Sequence, residues 1–117
     1  MQAAHNEERR HQGRVPLNLQ TTRARRWSAG AWRELSAAVV DLSSRGVGLR
    51  LDQPVQLGDR VSLQIPLPDG GQDLRVTVEI RHGRKDPTSE EWLAGGLFRM
   101  LAAGDHERIS QFVSAAL

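Results

Sequence analysis

From position 74 to 81 the chain alternates strictly between two sets of residues, apolar Leu74, Val76, Val78 and Ile80 and polar Arg75, Thr77, Glu79 and Arg81. A period of two places successive side chains on opposite faces of an extended strand. The segment therefore predicts a strand with one face in a hydrophobic core and the other in water.

Further apolar runs of strand length recur at residues 37–42, 47–51, 61–67 and 92–100, and the alternating run itself extends over 74–82. An earlier alternating segment carries Val15, Leu17 and Leu19, and its Pro16 favours an edge or first-strand position. The connectors contain Gly, Asp, Ser and Pro, the residues typical of hairpin turns. Residues 21–31 show neither the two-residue period of a strand nor the period of a helix, and we expect a loop or frayed hairpin there.

The C-terminal segment changes to a helical period, with Ile109, Phe112, Val113 and Ala116 on one stripe and Asp105 placed to cap the start. Five or six short strands followed by one helix predict a mainly β, small antiparallel barrel or curled sheet covered by the helix. Residues 1–14 lack apolar periodicity and are interpreted as a flexible N-terminal arm, with residues 15–117 as the folded domain.

The basic residues are concentrated in the first half of the chain. Residues 1–50 carry nine Arg against four acids, whereas residues 51–117 carry seven Lys or Arg against ten acids. Only Lys85 among the 16 basic residues is a lysine. Arginine grips phosphate or a guanine edge at two points, so an anionic partner is plausible, although a GC-rich genome explains the same bias.

Composition excludes several classes of function. The chain has no cysteine, which rules out disulfides, thiolate metal ligands and a cysteine nucleophile. The four histidines lack partners at metal-ligand spacing, so no metal site is expected. No stretch is long and apolar enough for a membrane span, and we expect a cytoplasmic protein or a cytoplasmic part of a larger one.

Two motifs stand out. Arg9-Arg10-x-x-x-Arg14 precedes the first strand, and Asp41-x-Ser43-x-x-Gly46 lies between two later strands. Either motif alone is a weak signal, but the pair at this spacing is more specific. Together they resemble the RxxxR and D/N-x-S-x-x-G motifs of the PilZ domain family, in the family's order, and the segment Gly96-Leu97-Phe98 resembles its last strand.

The resemblance implies a six-stranded antiparallel β-barrel with a C-terminal helix that binds cyclic di-GMP. Arg10 and Arg14 are then expected to contact a phosphate and a guanine edge, since guanine O6 and N7 form an acceptor pair that matches an Arg fork. An Arg at the position of Arg9 is associated in PilZ proteins with two intercalated copies of the nucleotide, so a dimeric ligand is expected.

The second motif complements these arginines. The resemblance implies that ionised Asp41 accepts hydrogen bonds from the guanine N1–H and N2 amino donors and that Ser43 adds a hydroxyl contact. Gly46 and Gly48 are expected to let the backbone approach the ligand, and Gly46 is also expected to adopt a positive φ.

Other interpretations of the same residues stay open. The arginines of the arm are compatible with a solvated basic linker, and Asp41 to Gly46 with an ordinary Asx-type turn. The three tryptophans are more often core anchors than stacking platforms, and whether Trp92, Arg23, Arg25 or Arg26 touches a ligand is open.

The leading functional hypothesis is a cyclic di-GMP sensor whose binding changes the arm and passes that change to an attached domain or partner protein. The first alternative is a non-binding PilZ-like adaptor for protein interactions. A nucleic-acid-binding small barrel is less favoured because few aromatic residues are available for stacking. No catalytic residues are expected, because Ser43 lacks a nucleophile-elbow context and a His partner and no pair of carboxylates is poised for acid–base work. No cofactor is expected besides the ligand itself.

Overall fold

In this computed structural model, residues 13–116 are described. They form eight strands and one helix: β1 (Val15–Gln20), β2 (Arg23–Ser28), β3 (Ala31–Leu35), β4 (Ala37–Leu42), β5 (Gly46–Leu51), β6 (Arg60–Ile65), β7 (Leu74–Lys85), β8 (Trp92–Arg99) and α1 (Ala103–Ala116). The predicted class is confirmed as mainly β, but the described chain has eight strands where six were expected. The expected arm at 1–14 falls almost wholly outside the described residues.

All strands form one antiparallel sheet in the order β1-β4-β5-β8-β7-β6-β2-β3. Between β1 and β2 the backbone N–H of Thr21 donates to the carbonyl of Ala37 (3.0 Å), and that of Thr22 donates to Gln64 (2.9 Å). These carbonyls belong to β4 and β6, which three other strands separate within the sheet. The link from β1 to β2 therefore holds the sheet in a curl, a half-barrel around the core.

The inner face of the curl is apolar, and the alternation predicted for β7 is confirmed. Leu74, Val76, Val78 and Ile80 are all buried. Ile109 and Val113 of α1 pack into the same core, whereas Ala116, expected on that stripe, is exposed. Pro16 lies on β1, which pairs only with β4 and so forms one edge of the sheet, as the sequence predicts.

Of the two structures expected for residues 21–31, a loop or a frayed hairpin, the structure has a hairpin, and it is formed by regular strands. These residues contain β2, which pairs with both β3 and β6. The inward face of β2 carries one buried apolar residue, Ala24, followed by Arg26 and Ser28, so its strand character leaves no apolar period. Helix α1 begins at Ala103, which places Asp105 in its first turn and not at the cap.

No helix within the described residues is long and apolar enough to cross a bilayer.

Candidate ligand site on the outer sheet face

A single row of residues crosses five strands on the outer face of the sheet. Pro16 pairs with Asp41, Asp41 with Gly48, Gly48 with Gly95, and Gly95 with His82. The two central positions, Gly48 and Gly95, are here named the glycine floor. An acidic side chain thus stands on one side of the floor and an imidazole on the other.

Both flanking side chains lie down on the glycine floor. A Cβ atom added to Gly48 would come within 2.6 Å of Asp41 Oδ2, and one added to Gly95 would come within 2.6 Å of the His82 Cε1 atom. Real Cβ atoms do not approach other atoms this closely. The missing side chains therefore allow the carboxylate and the imidazole to lie low over adjoining strands on the outer face of the sheet.

Arg14 connects the start of β1 to this row. Its Nη1 donates to Asp41 Oδ1 at 2.7 Å, and the two side chains are 56% and 31% exposed. The contact is one-point and open to water, so it contributes little to stability, about 0–1 kcal/mol. The guanidinium and the carboxylate are consequently free to exchange this contact for others.

The turn between β4 and β5 depends on Ser43. Its backbone N–H donates to the Gly46 carbonyl (2.9 Å), and its Oγ accepts from the Gly46 N–H (3.1 Å) and from the Arg45 N–H (3.4 Å). Ser43 thus performs the local turn role that the Asx-type interpretation gave to Asp41, whose carboxylate turns instead to Arg14. Ser43 fixes the hairpin that presents Asp41.

The expected positive φ at Gly46 is wrong, because Gly46 is not among the residues with positive φ. Glycine is needed at this position because there is no room for a side chain. A Cβ there would collide with the carbonyl oxygen of Gly96 on the neighbouring strand β8. Gly46 therefore serves the close packing of β5 against β8.

His82 is a candidate site residue that the sequence pattern missed. Strict alternation after buried Ile80 places Arg81 outward and His82 inward. The register between β7 and β8 shifts at this point, so that Ile80 pairs with Gly96 and His82 with Gly95. This bulge takes up Arg81 as an extra residue and turns His82 to the outer face. Adjacent glycines in β8 are the only sequence signal for such an irregularity.

Of the expected site residues, the structure brings together Arg14, Asp41 and Gly48, with Ser43 and Gly46 in the supporting hairpin. Arg9 and Arg10 lie outside the described residues. Arg23, Arg25 and Arg26 lie on β2, distant from the row in strand order. Trp92, three residues before Gly95 on β8, packs against the core. Within residues 13–116 no cluster of three or more His, Asp or Glu side chains is arranged to hold a metal ion.

The sequence profile of the PilZ domain matches residues 8–115, which is most of the chain. The chain belongs to the PilZ domain family. Its two motifs, the curled sheet and the C-terminal helix accord with that membership. No match was found among curated protein sequences.

Solved PilZ-type structures share this fold. The Bacillus subtilis inhibitor of motility MotI/DgrA superposes with a TM-score of 0.68 at 21% identity, over 87% of this chain and 48% of that one. The PilZ domain of Escherichia coli YcgR with c-di-GMP superposes with a TM-score of 0.56 at 12% identity, over 86% of this chain and 88% of that one. Borreliella burgdorferi PlzA in complex with c-di-GMP superposes with a TM-score of 0.57 at 7% identity, over 97% of this chain and 55% of that one. The chain thus spans about half the length of MotI/DgrA.

Proposed function

We propose that this PilZ domain is a receptor for cyclic di-GMP that binds the nucleotide on its outer sheet face, against Asp41, His82 and the arginines of the RxxxR motif. The observation that carries the proposal is the row from Asp41 across the glycine floor to His82, with Arg14 already in contact with Asp41. Two solved relatives of this fold hold c-di-GMP.

The groups of the row match the chemistry of the ligand. The Asp41 carboxylate only accepts hydrogen bonds, which suits the N1–H and N2 donors of guanine. Arg14 offers a planar fork for guanine O6 and N7 or for a phosphate. His82 adds either a donor or an acceptor, together with a flat ring for stacking. The low position of Asp41 and His82 leaves room for a broad planar ligand above them.

Binding requires the Arg14–Asp41 contact to open. Because Arg14 is exposed and Asp41 partly exposed, that contact costs little to break. Arg14 then turns to phosphate or guanine, and Asp41 is released toward the guanine donors. We assign Arg10 to the same ligand and Arg9 to a second, intercalated nucleotide, as the family resemblance implies.

The output follows from the position of Arg14 between the domain and the segment that precedes it. A ligand that recruits Arg9, Arg10 and Arg14 draws this segment toward the sheet and stabilises one arrangement of it. We propose that an attached domain or partner protein reads that arrangement, so that the chain acts as a receptor and not as a catalyst.

Isothermal titration with cyclic di-GMP tests the proposal. We expect saturable binding near two nucleotides per chain, and a loss of roughly ten- to hundred-fold in affinity for Arg14→Ala or Asp41→Ala, as charge-assisted hydrogen bonds disappear. Arg9→Ala should lower the stoichiometry toward one. GTP and cyclic di-AMP serve as ligand controls.

Arg23→Ala is the matched control variant. Arg23 forms an ion pair with Glu34 at 3.0 Å on the surface, with the Arg side chain 53% exposed, so it is, like Arg14, an exposed arginine paired with a carboxylate. The affinity of the Arg23→Ala variant for cyclic di-GMP should equal that of the unmodified chain. Binding that survives Arg14→Ala and Asp41→Ala unchanged would remove this face from the ligand site, and an absence of binding would favour a PilZ adaptor.

A further inference from the structure

Two tryptophans lie side by side on the outer face of the β2–β3 hairpin, at the far end of the strand order from Asp41. Trp27 and Trp32 are cross-strand partners, 44% and 40% exposed, with ring centroids 5.4 Å apart at an interplanar angle of 65°. Indole rings bury apolar area readily, and exposed pairs of them are uncommon away from interaction sites.

Arginines surround this pair. The Arg25 guanidinium carbon lies 5.4 Å from the centroid of the Trp32 ring, and Arg60 is the cross-strand neighbour of Trp27 on β6. Arg75 lies nearby on β7. Among residues 13–116, none of these three arginines forms an ion pair with a carboxylate. These arginines are therefore available to bind acidic groups of a partner.

Two depressions, of about 430 and 420 Å³, share Trp32 and Arg60. The larger extends past Arg75 to Met100 and Leu101, where β8 ends and α1 approaches. We name the combined surface, from Trp27 and Trp32 through Arg60 and Arg75 to Met100, the hairpin groove. Met100 is 98% exposed and has a φ of 50°, in the left-handed region that ordinary side chains avoid.

We propose that the hairpin groove docks an acidic segment of a partner protein that carries an aromatic or aliphatic anchor. Trp, Arg and Met are the residue types enriched at protein interfaces, and arginine binds carboxylates at two points. The Trp pair and Met100 provide the apolar walls, and Arg25, Arg60 and Arg75 provide the charge. Asp59 and Asp105 also line the groove and restrict where the acidic residues of the partner can sit.

The same geometry disfavours a nucleic acid. Stacking of bases requires an open aromatic face. Here Arg25 lies over the face of Trp32, and Trp27 packs against Trp32 in an edge-on arrangement. Asp59 and Asp105 would in addition repel a phosphate backbone. A peptide side chain inserts into such a groove without needing a free indole face.

The proposal does not depend on the nucleotide site. The hairpin groove uses strands β2, β3, β6 and β7, together with the end of β8, and includes neither Arg14, Asp41 nor His82. It can therefore be tested without cyclic di-GMP, and its failure would leave the nucleotide proposal untouched.

The test begins with selection of random 16-residue peptides on the immobilised chain without nucleotide, followed by titration of one selected synthetic peptide into ¹⁵N-labelled protein. The three tryptophans give three separate indole signals. We expect selected peptides to combine Asp or Glu with aromatic or aliphatic residues, and to shift the indoles of Trp27 and Trp32 but not that of partly buried Trp92.

Arg60→Glu should lower the affinity of the chain for the selected peptide by at least roughly ten-fold, the loss typical of a hot-spot residue. Arg84→Glu, the same change at another exposed arginine, is the matched control and should leave affinity unchanged. Trp32→Ala, checked for folding by urea unfolding, should also lose binding. The proposal is overturned if no peptide or only basic peptides are selected, if binding survives Arg60→Glu and Trp32→Ala, or if a single-stranded oligothymidylate shifts Trp27 and Trp32 while the peptides do not.

Discussion

Gly46 and Gly48 are only two positions apart on β5, yet their missing side chains serve different purposes. At Gly46 a Cβ would strike backbone, the Gly96 carbonyl oxygen, which cannot move without opening β5 from β8. At Gly48 it would strike the carboxylate of Asp41, the free end of a short side chain. The first glycine therefore belongs to the fold and the second to the proposed site.

We expect Gly46→Ala to lower the free energy of unfolding by about 1–3 kcal/mol, as other overpacked positions do. Urea unfolding measures the change. Gly104→Ala is the control, because Gly104 lies in the first turn of α1 with open space around it, and alanine favours a helix. Equal stability of the two variants would contradict the proposed crowding between β5 and β8.

We expect Gly48→Ala to lower the affinity for cyclic di-GMP more than Gly46→Ala does. The new methyl group displaces the Asp41 carboxylate, so titration calorimetry should show weaker binding of cyclic di-GMP, with a smaller loss of stability than Gly46→Ala causes. A Gly48→Ala protein that binds the nucleotide normally would show that the low position of Asp41 is irrelevant to recognition.

At the scale of elements, the sequence predicted strands wherever the inward face is apolar. The run at 37–42 coincides with β4, and the inward residues of β7 from Leu74 to Ile80 were assigned correctly. It did not decide between a loop and a hairpin for β2 and β3, because their inward faces include Arg26 and Arg33 and carry little apolar signal. It failed at the bulge near Arg81, since a shift in register depends on the partner strand and leaves no mark in a period of two.

The β2–β3 hairpin contains a local mismatch between sequence and conformation. Its two-residue turn holds Ala29 at φ 51° and Gly30 at φ 78°, the pattern of a type I′ turn. Alanine in the left-handed region costs roughly 1–2 kcal/mol. We expect Ala29→Gly to raise the free energy of unfolding by about 0.5–1 kcal/mol, and Gly30→Ala to lower it, both by urea titration. A loss of stability in Ala29→Gly would refute this assignment of the turn.

Helix α1 is tied to the β6–β7 loop by Arg108, which donates to both carboxylate oxygens of Asp69 at 2.7 and 2.8 Å. The Arg108 guanidinium, helped by the Gly71 amide, holds the pKa of Asp69 well below its ordinary value. A folded-state pKa below the unfolded one stabilises the fold above the unfolded pKa, and that contribution is lost as the pH falls through the folded pKa.

Asp69→Asn should therefore lower stability at pH 7 by about 0.2–1 kcal/mol, the range of partly exposed ion pairs. The difference from the unmodified chain should shrink as the pH falls below about 4, where Asp69 of the unfolded chain takes up its proton. Urea unfolding across that range measures it. A difference that stays constant with pH would mean that the pair contributes no charge-dependent stability.

At the scale of the whole molecule, one face of one sheet carries both proposed surfaces. Register continues along the outer face from Trp32 through Trp27, Arg60, Glu79 and Leu97 to Gly46, two residues before the glycine floor. The sequence identified the two PilZ motifs because each is local in the chain. Neither His82 nor the hairpin groove was evident from it, because both arise from strand pairing between distant segments.

The most direct test of the central claim is an amide ¹H–¹⁵N NMR titration of the chain with cyclic di-GMP. Gly48 and Gly95 report from the centre of the proposed site, whereas Gly70, Gly104 and the indoles of Trp27 and Trp32 report from elsewhere. We predict saturable shifts at Gly48, Gly95, Asp41 and His82 with little change at the other reporters. Shifts confined to the hairpin groove, or none at millimolar nucleotide, would contradict the assignment of this face as the cyclic di-GMP site.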